Sequence, residues 1–128
     1  MNNFIYTLMN YIKRLDLEHS LEIGAHPPGA SIAITPLEGS EVIDRYMNGM
    51  ADVRLPFEIS VKTENKVEAQ KTLIDLIAHL GDLGNYLKNE EKTIVFNELE
   101  LDQLPVFKEH AHGFYHYHIK LTVKLTLG

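Results

Sequence analysis

The stretch that decides the fold is residues 53–85, VRLPFEISVKTENKVEAQKTLIDLIAHLGDLGN, in which one hydrophobic period gives way to another. Up to residue 62, apolar and polar side chains alternate, and the apolar side holds Val53, Leu55, Phe57, Ile59 and Val61. A period of two is typical of a β-strand with one buried face. After residue 65 the period becomes helical, and the residues that share a side are Val67, Leu73, Ile74, Ile77 and Leu80. The pattern predicts a strand followed by a helix that crosses one face of a sheet.

Further elements are predicted on both sides of this unit. Helical spacing near the N-terminus indicates an amphipathic helix formed by Phe4, Ile5, Leu8, Met9, Ile12 and Leu15. Extended segments are expected at residues 21–25, 30–35, 41–47, 93–101, 104–109 and 115–127. This order of elements predicts a single α+β domain over residues 1–128. Its antiparallel or mixed β-sheet is expected to carry two amphipathic helices packed on one face.

Two local patterns make predictions about the strands. Asn48 and Gly49 form the dipeptide that favours a type I′ hairpin turn. Pro56 has no N–H to donate to a neighbouring strand. We therefore expect the long strand to be bulged at this proline or to lie at the edge of the sheet.

The boundaries of the second helix also have sequence signals. Asn65, followed three residues later by Glu68, fits a helix N-cap with a reciprocating acid. The helix is expected to end near Gly81 or Gly84, because a glycine readily takes the left-handed conformation that caps a helix C-terminus.

The composition describes an acidic protein without cysteine. The 128 residues carry a formal net charge of −6, and 45% of them are hydrophobic, a value typical of folded domains. The absence of Cys excludes disulfides, thiolate metal sites and a cysteine nucleophile. The acidic balance argues against nucleic-acid binding driven by phosphate neutralisation. No signal peptide and no apolar run of about 20 residues is found, so a soluble protein made in the cytosol is expected.

Four histidines lie close together near the C-terminus: His110, His112, His116 and His118. They form two His-x-His pairs on either side of Gly113, and residues two apart share a face of a strand. Each pair could therefore present two imidazoles to zinc, nickel or copper. Two other interpretations are a solvent-exposed hairpin that is rich in histidine and a patch that charges near pH 6. Spacing alone does not establish a metal site, and no metal ligand is assigned.

No pattern predicts catalysis. The acidic residues are densest at Glu90-Glu91 and at Glu98, Glu100 and Asp102, where loops and exposed strand faces are expected. A solvated surface explains them better than a general acid/base pair. No serine lies in a Gly-x-Ser-x-Gly elbow, and the glycines form neither a Walker loop nor a dinucleotide fingerprint. We therefore expect no enzyme, and assign no catalytic residue, no cofactor and no cofactor-binding residue.

The order of the elements resembles that of a family of phage proteins. The similarity covers an amphipathic first helix, a hairpin closing on residues 48–49, the strand at 53–62, the helix at 67–80 and the last strand, Tyr-His-Tyr-His-Ile-Lys-Leu-Thr-Val-Lys-Leu at 115–125. This arrangement looks like the minor capsid or tail-terminator proteins of long-tailed bacteriophages and prophages. The resemblance implies an α+β domain that assembles as a ring, commonly of six subunits, at the head–tail junction of the virion. It also implies that the ring ends tail-tube growth and docks the head connector, while DNA passes through without specific binding.

Three functions fit the sequence. The first is a structural tail terminator or head–tail joining protein, assembled in the bacterial cytoplasm, with tail-tube and connector proteins as partners. The second is a small metal-binding protein or metal-dependent enzyme that uses the histidines of residues 110–118. The third is an α+β adaptor that binds a partner by strand addition. A long edge strand would suit the first and the third, because unpaired strand edges are either protected or used for assembly.

Overall fold

The computed structural model describes residues 4–15, 20–26, 28–90 and 94–127. In chain order the elements are α1 (Phe4–Lys13), β1 (Ser20–Ile23), β2 (Ser31–Pro36), β3 (Glu41–Arg45), β4 (Ala51–Thr63), α2 (Lys66–Leu80), α3 (Leu83–Glu90), β5 (Ile94–Ala111) and β6 (Phe114–Leu127). The six strands form one sheet in the order β1-β2-β4-β6-β5, and β3 pairs with β4. Only β1 and β2 run parallel among these described pairs. The predicted mixed sheet is confirmed, with three helices instead of two.

The hydrophobic core lies against one face of the two central strands. Side chains alternate along a strand, and the β4–β6 register keeps odd-numbered residues together, as where Ile59 faces Ile119. Buried side chains of all three helices join this cluster, among them Leu8, Leu73 and Leu87. Each fully buried side chain of this size contributes roughly 1.5–3 kcal/mol. The even-numbered face of β4 and β6 carries polar side chains instead.

The start of α2 agrees with the sequence, whereas part of its predicted apolar side does not. The side-chain oxygen of Asn65 accepts hydrogen bonds from the backbone N–H groups of Val67 and Glu68, at 2.9 and 3.2 Å. Val67 and Ile74, however, are 64% and 58% exposed. Residues seven apart share a side of a helix, and this side is turned away from the core. Their assignment to the buried side was wrong.

The end of α2 near Gly81 is confirmed, because the helix ends at Leu80, but the left-handed cap conformation is not formed. Gly81 follows the helix with φ −61°, a right-handed conformation, so the chain continues directly towards α3. Gly84 lies inside α3, where an added Cβ would come within 3.0 Å of the Phe96 ring. This glycine lets α3 pack closely on β5. The predicted left-handed cap is therefore absent at both glycines.

The type I′ turn is not formed at Asn48-Gly49 but at the hairpin between β5 and β6. Between β3 and β4, the N–H of Tyr46 donates to the carbonyl of Met50, and Gly49 alone takes a left-handed φ of 87° in this loop. A three-residue loop ending in a left-handed glycine is a type I turn with a bulge, so the type I′ prediction was wrong here. Between β5 and β6, His112 (φ 53°) and Gly113 (φ 82°) supply the two left-handed residues that a type I′ turn requires.

Pro56 lies in the centre of the sheet, not at its edge. β6 pairs with β4 without a register shift, while β2 and β3 share the other side of β4. Pro56 falls where β2 ends and β3 has not begun, and its carbonyl accepts a 2.9 Å hydrogen bond from the N–H of Leu37. Its missing donor faces this gap, so no ladder hydrogen bond is lost. The expectation of a bulge or an edge position was wrong.

The edge strand is β5, the longest of the six. Its 18 residues replace the two predicted segments at 93–101 and 104–109, although residue 93 lies outside the described residues. Four register shifts interrupt its pairing with β6. Such irregularities bend a strand and increase its twist. In the described part of the chain, no helix has the length and apolar character needed to cross a membrane.

Candidate functional site

The structure separates the four histidines of the hairpin. His110 pairs with Tyr115 and stacks on its ring with centroids 4.0 Å apart, whereas His116 and His118 point to the opposite face. His112 lies in the turn and is exposed. Among the described residues, no group of three or more His, Asp or Glu side chains is placed to hold a metal ion. A four-histidine cluster is therefore not formed.

One of these histidines, His116, contacts His26, a residue that the sequence had not singled out. The Nδ1 atom of His26 lies 2.6 Å from the Ser31 hydroxyl, and its Nε2 atom lies 2.7 Å from the Ser60 hydroxyl. Its ring meets that of His116 edge-on, with centroids 5.6 Å apart. A neutral imidazole has one donor and one acceptor nitrogen, so it can satisfy both hydroxyl groups at once. His26 thereby joins β2 to β4 across the polar face.

Next to this bridge lies an acid–histidine pair. His118 Nδ1 is 2.6 Å from the Glu58 carboxylate, and both side chains are largely buried. Lys108 Nζ lies 3.7 Å from the same carboxylate oxygen. A carboxylate in this position fixes the orientation of the imidazole. The six side chains His26, Ser31, Glu58, Ser60, His116 and His118 are named here the polar-face cluster.

The electrostatics of the cluster favour the uncharged imidazoles of His26 and His116. Burial lowers the pKa of His26 from 6.5 to about 4, with further lowering by His116, Lys62 and Lys108, while Glu58 opposes the shift. Burial also lowers the pKa of His116, although Glu109 works against it. Burial disfavours the charged form of a histidine because water no longer solvates it. At neutral pH, His26 is therefore uncharged.

The cluster is better arranged to hold strands together than to attack a substrate. Ser31 and Ser60 hydrogen-bond to a histidine, as an activated nucleophile would, but both are buried. A serine nucleophile must reach the substrate, and an oxyanion must find preorganised donors. What the arrangement can do is respond to protons, because His26 gains a charge as the pH falls towards its lowered pKa of about 4.

The acidic residues of β5 are tied to β6. Glu98 and Glu100 both contact Lys124, with N–O distances of 3.3 and 3.0 Å, and Asp102 accepts a hydrogen bond from Thr122. The hydrogen bonds that Lys124 donates to Glu100 and Glu98 raise the pKa of Lys124. These contacts are consistent with a surface network that reinforces strand pairing. The side chains of Glu90 and Glu91 lie outside the described residues.

A small cavity lies on the helical side of the molecule. Its volume is about 340 Å³, and Tyr11, Arg14 and Tyr86 are among its lining residues. The Tyr11 hydroxyl donates to the His79 carbonyl, and the Arg14 guanidinium lies 4.9 Å from the centre of the Tyr86 ring. These polar groups already have partners within the chain. None of the described histidines and acidic residues that the sequence had singled out as candidate site residues lines this cavity.

The second surface of interest is the free edge of β5. Four apolar side chains are exposed along this strand: Val95, Leu104, Val106 and Phe107. β5 has a neighbour on one side only, so the backbone groups of its outer edge have no strand partner within the described sheet. Strand edges with exposed apolar residues are templates for pairing with another chain.

No family model and no curated protein matches this chain. Its function is therefore inferred from the residues and their geometry.

Proposed function

We propose that this chain is a structural protein of phage or prophage morphogenesis, a tail terminator or minor capsid protein that forms a ring at the head–tail junction. The observation that carries the proposal is β5, an 18-residue strand at the edge of the sheet with exposed apolar side chains. An edge of this length is used for assembly unless it is protected. Head-to-tail contacts between copies close into a ring when the rotation between subunits allows.

The proposal includes the partners that the family resemblance implies. A ring of six subunits would end tail-tube growth on one side and receive the head connector on the other. Amphipathic helices packed on one face of the sheet would leave β5 free for a neighbouring subunit, and the shared core of α1, α2 and α3 supports this arrangement. The net charge of −6 supports passage of DNA, because an acidic lumen repels phosphates.

Leu104 offers the sharpest test of the assembly surface. It is 70% exposed on β5, so Leu104→Glu adds a charge there without opening the core. Ile74→Glu is the matched control, because Ile74 is 58% exposed on α2, away from the edge strand. Light scattering coupled to size exclusion, over a wide concentration range, gives the mass of each variant. Negative-stain microscopy shows whether rings form.

We expect the unaltered chain and Ile74→Glu to form rings at high concentration or on purified tail tubes, and Leu104→Glu to need at least about tenfold more protein. Circular dichroism checks that each variant is folded. A chain that stays monomeric at every concentration and does not bind tail tubes would contradict the proposal. Repeating the light-scattering measurements with a chelator tests the metal-binding alternative. If that alternative holds, His116→Ala and His118→Ala should remove most of the affinity for the metal.

A further inference from the structure

The strand β1 and the three residues that follow it form a lightly attached segment, residues 20–26, named here the β1 arm. β1 pairs with β2 over four residues, and most of its side chains are exposed. The left-handed Gly24 (φ 87°) turns the chain back, and its N–H donates to the Ile34 carbonyl at 2.9 Å. Four ladder positions and a few turn contacts give an edge strand little stability of its own.

His26 is the main anchor of the β1 arm on the polar face. Two residues beyond the turn, its imidazole hydrogen-bonds to Ser31 on β2 and to Ser60 on β4. Removal of such an anchor would expose groups that are now buried, since Ser31 is 0% and Ala33 is 1% exposed. Ala33 pairs with Ser60 in the register and does not belong to the hydrophobic core cluster. Because His26 hydrogen-bonds to Ser31 and to Ser60, the register partner of Ala33, we infer that the arm covers this part of β2 through His26.

The charges around His26 oppose its protonation. Lys62 on β4, Lys108 on β5 and His116 on β6 lower its pKa, in addition to the effect of burial. The acid facing it, Glu58 on β4, is already engaged by His118 and Lys108. β2 contributes the uncharged Ser31 to the same site. Burial lowers the pKa of His116, Glu109 raises it, and Lys62 and Lys108 lower it further.

We propose that the β1 arm is a proton-operated latch: neutral His26 holds the arm across the polar face, and acidification releases it and uncovers the outer edge of β2. The released edge presents unpaired backbone N–H and C=O groups of Ser31–Pro36, which can accept a strand from another chain. This function goes beyond the proposed assembly role and does not depend on it.

The size of the effect follows from linkage. A released His26 regains its ordinary pKa of 6.5, whereas the attached one has a pKa of about 4. The open form therefore binds the proton more tightly, and its population rises as the pH falls through this window. The full shift corresponds to roughly 20-fold between pH 7 and pH 5, and partial exposure of the ring to solvent reduces the expectation to about tenfold.

The absence of cysteine allows a clean reporter of release. A thiol introduced by Ala33→Cys lies under the arm, and its rate of reaction with dithiodipyridine measures how often the arm is open. Thr122→Cys is the control for global unfolding, because Thr122 is equally buried on the same face but lies opposite Pro56. Met47→Cys, at a fully exposed position, corrects for the intrinsic pH dependence of the reagent.

We expect the corrected rate for Ala33→Cys to rise about tenfold from pH 7 to pH 5 and to exceed that for Thr122→Cys at every pH, because opening of the arm costs less free energy than global unfolding. Adding His26→Gln should remove this pH dependence, because glutamine does not titrate. A flat rate for Ala33→Cys, a rise that survives His26→Gln, or a rate for Ala33→Cys no faster than that for Thr122→Cys would each overturn the latch. If Ala33→Cys does not fold, hydrogen exchange of residues 20–26 in the unaltered chain and in His26→Gln decides by the same criteria.

Discussion

Replacing Gly113 by alanine tests the turn that joins β5 and β6. Gly113 has φ 82°, and an added Cβ would find no heavy atom within 4 Å. The substitution therefore has no steric clash with the rest of the protein, and its cost is the strain of a left-handed alanine, about 1–2 kcal/mol. We expect Gly113→Ala to lower the free energy of unfolding by this amount.

Gly81→Ala is the matched substitution with the opposite expected sign. Gly81 has φ −61°, which alanine adopts freely, and its added Cβ would lie 3.6 Å from the Ala78 carbonyl, an ordinary contact. Alanine also restricts the unfolded chain, so Gly81→Ala should raise the free energy of unfolding by about 0.4–1 kcal/mol. The two variants are expected to differ by about 2 kcal/mol.

Urea denaturation followed by circular dichroism measures both variants against the unaltered chain at pH 7.5. Equal slopes of free energy against urea would show that the compactness of the unfolded state has not changed. Opposite signs are the expected result. If Gly113→Ala has no effect, the assignment of a type I′ turn at residues 112–113 is refuted. If Gly81→Ala destabilises, the right-handed conformation of Gly81 is refuted instead.

Three further predictions concern single side chains. Between pH 6.5 and pH 4 the free energy of unfolding should fall by about 1–2 kcal/mol through His26, whose pKa in the folded chain is lowered to about 4. The free energy of unfolding falls because the unfolded chain, in which His26 has its ordinary pKa, binds the proton at a higher pH than the folded chain does. When urea denaturation is repeated with His26→Gln across this range, this contribution to the pH dependence should be missing. Leu73→Ala should cost about 2–5 kcal/mol by chemical denaturation, because Leu73 is fully buried against the sheet. Asn65→Ala should cost about 0.5–2 kcal/mol in the same assay, since two backbone N–H groups lose their acceptor; a change below 0.3 kcal/mol would contradict the cap.

The sequence predicted the strand faces that depend on a period of two, whereas the helical period of α2 placed Val67 and Ile74 on the buried side wrongly. The alternation in β4 identified the core face, including Ile59, and the alternation in β6 did the same. Single turns were predicted less well, because Asn48-Gly49 suits more than one loop geometry and the number of loop residues decides between them. Pro56 was misplaced because the position of a strand within a sheet depends on partners far away in sequence.

The candidate site was only partly visible in the sequence. His116 and His118 were identified by their spacing, which also fixes their common face. His26 was not, because its contacts depend on the register that puts Ser60 beside β2 and on the reversal at Gly24. A histidine five residues before Ser31 has no local signal for such a bridge. His110 was grouped with the wrong partners because the pairing across the turn sends it to the opposite face.

The two sides of the sheet differ, so their functions can be separated by mutation. In the described part of the sheet, β5 has no strand partner on its outer edge and exposes four apolar side chains, whereas the outer edge of β2 is paired with the β1 arm, which His26 anchors. Unequal edges suit contacts between different surfaces of neighbouring copies. Leu104→Glu should therefore change the mass of the assembly and leave the thiol reactivity of Ala33→Cys unchanged. At pH 7, His26→Gln should change that reactivity and leave the mass of the assembly unchanged. In the unaltered chain the latch is expected to be closed at pH 7. If His26→Gln also abolished assembly at that pH, assembly would depend on both edges.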